Sequence, residues 1–159
     1  MFACATERGI CLLEFWDRKN YLGQISKLML ALNDDIKTGE SPFFEPLRKE
    51  LNEYFAGKRT EFTVPLHLVG TDFQKKVWSE LLKIPYGETI SYKQLAERTG
   101  DPNASRAVAN ANGMNKIALI VPCHRVIGAN GKLTGYAGGL ERKEFLLSLE
   151  KGIGSQKLF

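Results

Sequence analysis

Apolar residues in the first half of the chain follow two different periods. Two short apolar-rich runs, Phe2–Thr6 and Ile10–Phe15, flank a polar turn that contains Gly9, and this arrangement predicts a β-hairpin. Apolar residues then recur every three or four positions over Tyr21–Leu32 and again between Leu47 and Phe55, which predicts two amphipathic helices. The first half is therefore predicted to be a small strand-and-helix unit.

The segment Thr60–Leu68 alternates only partly between apolar and polar residues and contains Pro65. Because proline cannot donate to a strand ladder, this segment is predicted to be an edge strand or an extended linker. We place a boundary here, with residues 1–70 forming an N-terminal α/β subdomain and residues 71–159 forming a second subdomain.

The second half carries clearer helix starts. Thr71 with Gln74, and Ser91 with Gln94, each have the spacing of a capping box, in which two side chains satisfy free N–H groups at a helix N-terminus. Each pair therefore predicts a helix that begins directly after its first member.

The helix that follows Ser91 is expected to stop at Gly100, and Asp101-Pro102-Asn103 then restarts a helix of small residues. Two short helices joined in this way predict a helix-turn-helix. A final helix is predicted over Leu140–Glu150. The predicted fold class is α/β (α+β), with a small N-terminal strand-and-helix subdomain followed by a mostly helical C-terminal subdomain that bears the helix-turn-helix.

Composition excludes several classes of protein. The 159 residues are 43% apolar and 25% charged, which excludes disordered, collagen-like and coiled-coil chains. No run of apolar residues is long enough to cross a membrane, and charge appears as early as Glu7, so neither a transmembrane helix nor a secretory signal is expected. Three cysteines, an odd number, favour a reducing compartment over a disulfide framework. The expected location is cytoplasmic, with no membrane partner.

The net charge of +4 is distributed unevenly along the chain. Residues 1–70 carry a net charge of −1, and residues 71–159 carry +5. No Asp or Glu occurs from Pro102 to Leu140. An acid-free basic stretch suits a polyanion such as nucleic acid, although chance clustering in a buried segment rich in Ala and Gly gives the same pattern.

Cys123 and His124 lie within this stretch and carry candidate chemistry. A thiolate is a strong nucleophile, and a cationic neighbourhood or a histidine partner favours its formation. Adjacent residues of a strand point to opposite faces, so the pair requires a turn, which Pro122 makes plausible. The histidine also needs an acidic partner from outside the stretch, namely Glu141, Glu144 or Glu150. The alternative is a buried, inert cysteine beside a structural histidine.

The residues around this pair closely resemble the O6-alkylguanine-DNA alkyltransferases, also called methylated-DNA–protein-cysteine methyltransferases. The resemblance runs from about Thr71 to Glu150. Its motifs are Ile84-Pro85-Tyr86-Gly87-Glu88-Thr89, Ser91-Tyr92, Ser105-Arg106-Ala107-Val108, Asn115, Pro122-Cys123-His124-Arg125-Val126, Gly135-Tyr136 and Gly139-Leu140.

The resemblance implies a single-turnover repair reaction without a cofactor. Cys123 would attack the alkyl carbon of O6-alkylguanine, or of O4-alkylthymine, and keep the alkyl group. His124 would act as the base through a water molecule, and Glu150 would hold the imidazole. Tyr92 would give a proton to the departing guanine oxygen, as such an oxyanion requires. Asn115 would brace the turn that leads to the nucleophile.

The resemblance also implies double-stranded DNA bearing alkylated bases as the partner, bound through the minor groove by a monomer. Arg106 would enter the base stack when the target base is flipped out. The residues implied to contact DNA are Ala104, Ser105, Arg106 and Ala107 on the second helix, with Lys93, Lys116 and Arg125. The implied substrate pocket contains Tyr92, Val126, Tyr136, Ala137 and Gly138.

Two positions depart from the family pattern. Ala137 stands where many relatives carry a hydroxyl or a long side chain. Gly138-Gly139 adds little bulk beside the pocket, where some relatives carry a large aromatic residue. We therefore predict that adducts larger than methyl are accepted.

Some relatives also hold a zinc ion in the N-terminal part. Cys4, Cys11 and His67 supply three ligands where four are needed, so the two cysteines are predicted to be core residues.

Three other functions compete with repair. A relative that binds lesions without repairing them would lack the reactive cysteine, whereas Cys123 is present. A transcription regulator built on this module would carry a cysteine cluster in the first 70 residues, and none is found there. A Cys-His hydrolase would release its product, whereas the repair reaction leaves Cys123 permanently alkylated.

Overall fold

The computed structural model describes residues 1–152, which form two compact units. The first unit contains Met1–Gly70 together with Lys116–Ala118, and the second contains Thr71–Asn115 and the chain from Leu119 onward. Within residues 1–152, no helix combines the length and the apolar composition that crossing a membrane requires.

The first unit begins with the predicted hairpin. Strands β1 (Phe2–Thr6) and β2 (Gly9–Glu14) pair antiparallel, and a bulge interrupts their register next to Cys4. Gly9 has a φ of +143°, and a Cβ atom there would lie 2.4 Å from the carbonyl oxygen of Pro65. The turn therefore requires glycine, because any side chain would collide with the neighbouring backbone.

Two helices, α1 (Tyr21–Leu32) and α2 (Phe44–Phe55), follow the hairpin as the apolar periodicity predicts. The core that joins α1 to the hairpin consists of buried apolar side chains, with partly buried ones packed against them. Its members are Cys11, Leu12, Leu28 and Val69, flanked by Phe2, Cys4, Ile25 and Leu32. Cys11 is thus a core residue, whereas Cys4 is partly buried and packs against the core.

Two further segments pair with β2 in the first unit. The amide of Ile10 donates to Pro65 O at 2.8 Å, so the segment predicted as an edge strand or linker is an extended linker with one bridge to β2. The amide of Leu13 donates to Lys116 O at 2.9 Å, and the amide of Ala118 donates to Leu13 O at 2.8 Å. Residues 116–118, assigned to the second subdomain from the sequence, therefore belong to the first unit.

The second unit is mostly helical, as predicted. Both capping boxes form, with the Thr71 and Ser91 side chains accepting from the backbone N–H groups of Gln74 and Gln94. Its elements in chain order are α3 (Asp72–Leu81), β3 (Ile90–Ser91), α4 (Tyr92–Arg98), α5 (Ser105–Gly113), a 3₁₀ turn (Cys123–Arg125), β4 (Val126–Ile127) and α6 (Leu140–Glu150).

Two contacts in the second unit position the site. Helix α3 packs on α5, where the indole N–H of Trp78 donates to Ala111 O at 2.8 Å. Strands β3 and β4 pair in parallel, with Ile90 opposite Val126. Because α4 begins directly after β3 and the 3₁₀ turn ends directly before β4, this pairing brings Tyr92 near the segment that carries Cys123.

Candidate active site

The backbone turns sharply at Pro122, as the Cys-His pair requires. Pro122 has φ −82° and ψ 62°, and the amide of Cys123 donates to Val121 O at 2.8 Å, which is the geometry of an inverse γ-turn. A 3₁₀ turn over Cys123–Arg125 follows directly. Cys123 and His124 are both buried, so they no longer alternate as neighbours on a flat strand would.

Two asparagines hold Cys123, one in the last turn of α5 and one two residues after that helix ends. The Asn115 side-chain amide donates to Val121 O at 2.8 Å and to the sulfur of Cys123 at 3.1 Å. One turn earlier, the Asn112 amide donates to Cys123 O at 3.3 Å. Asn115 was expected from the sequence and Asn112 was not. The signal for Asn112 was the spacing, because Val108, Ala111 and Asn112 lie at positions i, i+3 and i+4 of α5 and are all buried.

Glu150 receives hydrogen bonds from three directions at the end of α6. His124 Nε2 lies 2.7 Å from one carboxylate oxygen, and the Arg125 guanidinium donates to both oxygens at 2.8 and 3.0 Å. The amide of Gly87 donates at 3.1 Å. Burial raises the pKa of Glu150, but the hydrogen bonds from His124 and Arg125, together with the charge of Arg125, outweigh it and hold the pKa at about 2.

The protonation state of His124 follows from this environment. Burial lowers the pKa of His124, against the opposing effect of Glu150, so the imidazole is neutral near pH 7. Glu150 is ionised and only accepts, so the proton lies on Nε2. Nδ1 therefore presents a lone pair, and it has no hydrogen-bond partner among residues 1–152. Such a nitrogen is suited to accept a proton.

Tyr92 begins α4, and its hydroxyl donates to the loop before α6. The acceptors are the carbonyl oxygens of Thr134 at 3.2 Å and Gly135 at 3.3 Å. Burial raises the pKa of Tyr92, and the charge of the Cys123 thiolate raises it further. The phenol therefore stays protonated near neutral pH and lies within electrostatic range of the sulfur.

The remaining residues of the expected pocket lie along β4 and the loop before α6. Val126 is fully buried, Tyr136 and Gly138 are partly buried, and Ala137 is exposed. Gly135 has a φ of +51°, and a Cβ atom there would lie 3.4 Å from the Tyr92 hydroxyl. A residue with a side chain would therefore be strained at this position and would crowd Tyr92.

Helix α5 presents the residues expected to contact DNA. Arg106 and Ala107 are exposed and Ala104 and Ser105 are partly exposed. The helix contains no acidic residue, and Arg106 forms no ion pair with any residue in the described part of the chain. Lys93 is also exposed, on α4.

Two residues expected to contact DNA lie elsewhere. Lys116 is buried in the first unit, where its ammonium group donates to Val69 O at 2.8 Å and burial lowers its pKa. Arg125 is buried, and its guanidinium binds Glu150 and donates to Ile84 O at 2.6 Å. Both assignments to DNA were wrong, because the sequence shows a positive charge but not the carbonyl or carboxylate that pairs with it.

Lys143 is a buried site residue that the sequence analysis missed. Its ammonium group donates to Val126 O at 2.5 Å and to Thr134 O at 2.8 Å. The helical spacing of the sequence could have indicated that Lys143 is buried. Lys143, Leu146, Leu147 and Glu150 recur at helical intervals on one face of α6, and all are buried.

The three N-terminal residues weighed as metal ligands, Cys4, Cys11 and His67, make other contacts in the structure. His67 Nδ1 lies 2.8 Å from the Thr6 hydroxyl, and its Nε2 lies 3.2 Å from the Arg8 guanidinium. Burial raises the pKa of Cys4 and raises that of Cys11 to about 11. Throughout residues 1–152, no three His, Cys, Asp or Glu side chains are grouped to hold a metal ion.

Two protein-family models match the chain. Residues 72–152 match the model of the 6-O-methylguanine DNA methyltransferase DNA binding domain, and residues 3–68 match that of the ribonuclease-like domain of the same enzymes. The chain belongs to the 6-O-methylguanine-DNA methyltransferase family. The resemblance found from the motifs is thereby confirmed.

Individual members of the family are similar over most of their length. Methylated-DNA–protein-cysteine methyltransferase of Mycobacterium bovis is 66% identical over 102 residues, which cover 64% of this chain and 62% of that protein. Its namesake from Methanosarcina acetivorans is 60% identical over 108 residues, covering 68% of this chain and 69% of that protein. The aligned region is thus less than two thirds of the mycobacterial relative.

Solved structures extend the likeness to nearly the whole chain. O6-methylguanine methyltransferase of Mycobacterium tuberculosis is 47% identical with a TM-score of 0.75, covering 93% of this chain and 84% of that one. A crystal structure of the M. tuberculosis protein in complex with DNA is 45% identical with a TM-score of 0.80, covering 97% and 88%. The predicted fold class, with an N-terminal strand-and-helix part and a helical C-terminal part, is confirmed.

Proposed function

We propose that this chain is a DNA repair protein that transfers the alkyl group of O6-alkylguanine, and of O4-alkylthymine, in DNA to Cys123, irreversibly and once per molecule. The observation that carries the proposal is the buried, neutral His124. Its Nδ1 lone pair is available for a proton, and it follows a cysteine whose sulfur accepts a hydrogen bond from Asn115. Membership of the family and the names of the relatives support the same reaction.

Activation begins with the thiol of Cys123. A bridging water takes the thiol proton and passes a proton to Nδ1 of His124, which gives a thiolate and an imidazolium. The ionised Glu150 stabilises the imidazolium through the 2.7 Å contact at Nε2. The Asn115 amide stabilises the thiolate by donating to the sulfur at 3.1 Å.

Transfer is a displacement at the alkyl carbon. The bond from sulfur to carbon forms as the bond from carbon to the guanine oxygen breaks, and the electron pair of that bond remains on the oxygen. Tyr92 donates a proton to the departing base and recovers one from the imidazolium through solvent. In total, the thiol hydrogen moves to guanine and the alkyl group moves to sulfur. The thioether product has no step that restores the thiol.

The target atom lies inside a stacked duplex, so the base must be extruded into the site. We propose that α5 enters the minor groove, because its exposed face carries small residues that permit close approach of the backbone. Arg106 would fill the gap left in the stack, and Lys93 would contact a phosphate. A crystal structure of a relative in complex with DNA supports DNA as the partner.

We propose that the protein acts as a monomer in the cytoplasm and needs no cofactor.

The loop before α6 bears on which adducts are accepted. Ala137 is exposed and Gly138 lacks a side chain, so little bulk projects from this loop toward Tyr92. We propose that groups larger than methyl are transferred. Methyl transfer from DNA without any reaction with O6-benzylguanine would contradict this part of the proposal.

Peptide mapping by mass spectrometry tests the reaction directly. After incubation with duplex DNA containing O6-methylguanine, we expect the peptide that carries Cys123 to gain the mass of one CH₂ group. The variant Cys123→Ser should gain nothing, whereas Cys4→Ser, which loses a thiol of the first unit, should react as the wild type does. DNA binding with no gain of mass would indicate a lesion-binding or regulatory protein instead.

A further inference from the structure

Lys143 is a lysine with no exposed surface. It lies on the buried face of α6, and its ammonium group donates to the carbonyl oxygens of Val126 and Thr134. No carboxylate in the described part of the chain lies within ion-pair distance of it. A buried cation is costly unless an anion compensates it, so its presence here calls for an anion in the working protein.

Helix α6 packs against the 3₁₀ turn that carries Cys123, and the Val126 oxygen that Lys143 binds directly follows that turn. The charge that acts favourably on Lys143 is that of Cys123. Burial lowers the pKa of Lys143 to about 8, whereas the thiolate of Cys123 acts in the opposite direction and raises it. Interaction between two titrating groups is reciprocal, so a cation that the thiolate stabilises also stabilises the thiolate.

Titratable groups from three elements face the ammonium group. Cys123 and His124 belong to the 3₁₀ turn, and the positive charge of Lys143 lowers the pKa of His124. Tyr92 belongs to α4, and its ring centre lies 6.0 Å from the Lys143 nitrogen. Lys143 and the Tyr92 hydroxyl also donate to the same oxygen, that of Thr134.

We propose that the buried ammonium group of Lys143 is the counter-charge of the Cys123 thiolate, and that the same group fixes the Thr134 carbonyl to which Tyr92 donates. Lys143 is thus a positioning residue that acts through Cys123 and Tyr92. The inference rests on Cys123 as the nucleophile, but it concerns the charge state of the sulfur and is testable without DNA.

The test is the pH profile of Cys123 alkylation by iodoacetamide, followed by mass spectrometry of the Cys123 peptide. In Lys143→Met we expect the midpoint of the profile to move up by at least about one pH unit, so that the rate below both midpoints falls about tenfold. Lys143→Arg keeps the charge and should restore most of the rate. Lys132→Met, which removes an exposed lysine of the second unit, should leave the profile unchanged.

A reciprocal measurement covers the case in which Lys143→Met does not fold. Lysine labelled with ¹³C at Cε reports the titration of Lys143 by NMR, and Cys123→Ser removes the thiolate without altering Lys143. We expect Lys143 to lose its proton at lower pH in Cys123→Ser than in the wild type, because its counter-charge is gone.

Three results would overturn the proposal. These are an unchanged profile in folded Lys143→Met, an equal shift in Lys143→Arg and Lys143→Met, or an unchanged Lys143 titration in Cys123→Ser. Failure of methyl transfer from DNA, with the Lys143 dependence of iodoacetamide alkylation intact, would contradict the repair function and leave this inference standing.

Discussion

The charge on Glu150 determines the chemistry available to its neighbours. A protonated carboxylic acid would donate to His124 and reverse the roles of the two imidazole nitrogens, whereas the carboxylate fixes the proton on Nε2. The hydrogen bonds from His124 and Arg125 keep Glu150 ionised despite its burial. The ionised Glu150 therefore leaves the lone pair of His124 on Nδ1, as the proposed base role requires.

The same carboxylate makes stability depend on pH. The pKa of Glu150 is lowered from 4.5 to about 2 on folding, so its contribution to stability is complete above pH 4.5 and is lost as the pH falls toward 2. The loss amounts to about 3 kcal/mol, as the shift in pKa implies.

Urea unfolding at pH 7 and pH 3 measures this effect. Glu150→Gln should be less stable than the wild type at pH 7 but should lose less stability on acidification. Glu45→Gln, which removes an exposed partner of Arg48, should follow the wild-type pH dependence. Equal pH dependence in Glu150→Gln and the wild type would contradict the assigned ionisation.

Asn115 provides a second test at the scale of one residue. Asn115→Ala removes the donors to Val121 O and to the Cys123 sulfur, so we expect transfer to slow by about 10²-fold, as loss of a preorganised donor does. Asn112→Ala removes only the donor to Cys123 O and should slow transfer less. Single-turnover rates from methylated duplex DNA compare the two, and an equal loss of rate would show that the contact to sulfur contributes nothing.

Among the elements, those with local causes were predictable from the sequence. The capping boxes at Thr71 and Ser91 formed as predicted because all of their partners lie within three residues. Residues 116–118 were misplaced because their pairing with β2 depends on residues about 100 positions earlier in the chain. Local pattern carries no information about such a partner.

Helix α5 supports a prediction at the scale of an element. Arg106→Ala should slow alkyl transfer from duplex DNA by about 10-fold to 100-fold, because extruding a base costs a few kcal/mol that the inserted side chain offsets. Its reaction with free O6-benzylguanine, which needs no extrusion, should be unchanged. Arg98→Ala, which removes an exposed arginine of α4, serves as the control. An equal loss of rate on both substrates would contradict the role of Arg106.

For the whole molecule, sequence patterns predicted a nucleophile and its partners but not the buried charges around them. The family resemblance implied roles for Cys123, His124 and Glu150, and the structure brings His124 and Glu150 into contact. The charges of Lys116 and Arg125 were assigned to DNA because a charged residue is usually exposed, whereas both are buried here. Lys143 was overlooked for the same reason. Whether a charge is buried depends on tertiary packing, which charge counts do not contain.

If Cys123 keeps the alkyl group, each molecule reacts once, and the stoichiometry of transfer tests this most directly. Protein is mixed with an excess of duplex DNA carrying O6-[³H-methyl]guanine, and the label bound to protein and the guanine restored in DNA are both followed to completion. We predict that both reach one equivalent per protein molecule and then stop, with all of the label on the peptide that contains Cys123. Restoration of guanine beyond one equivalent, or label on Cys4 or Cys11, would contradict the account.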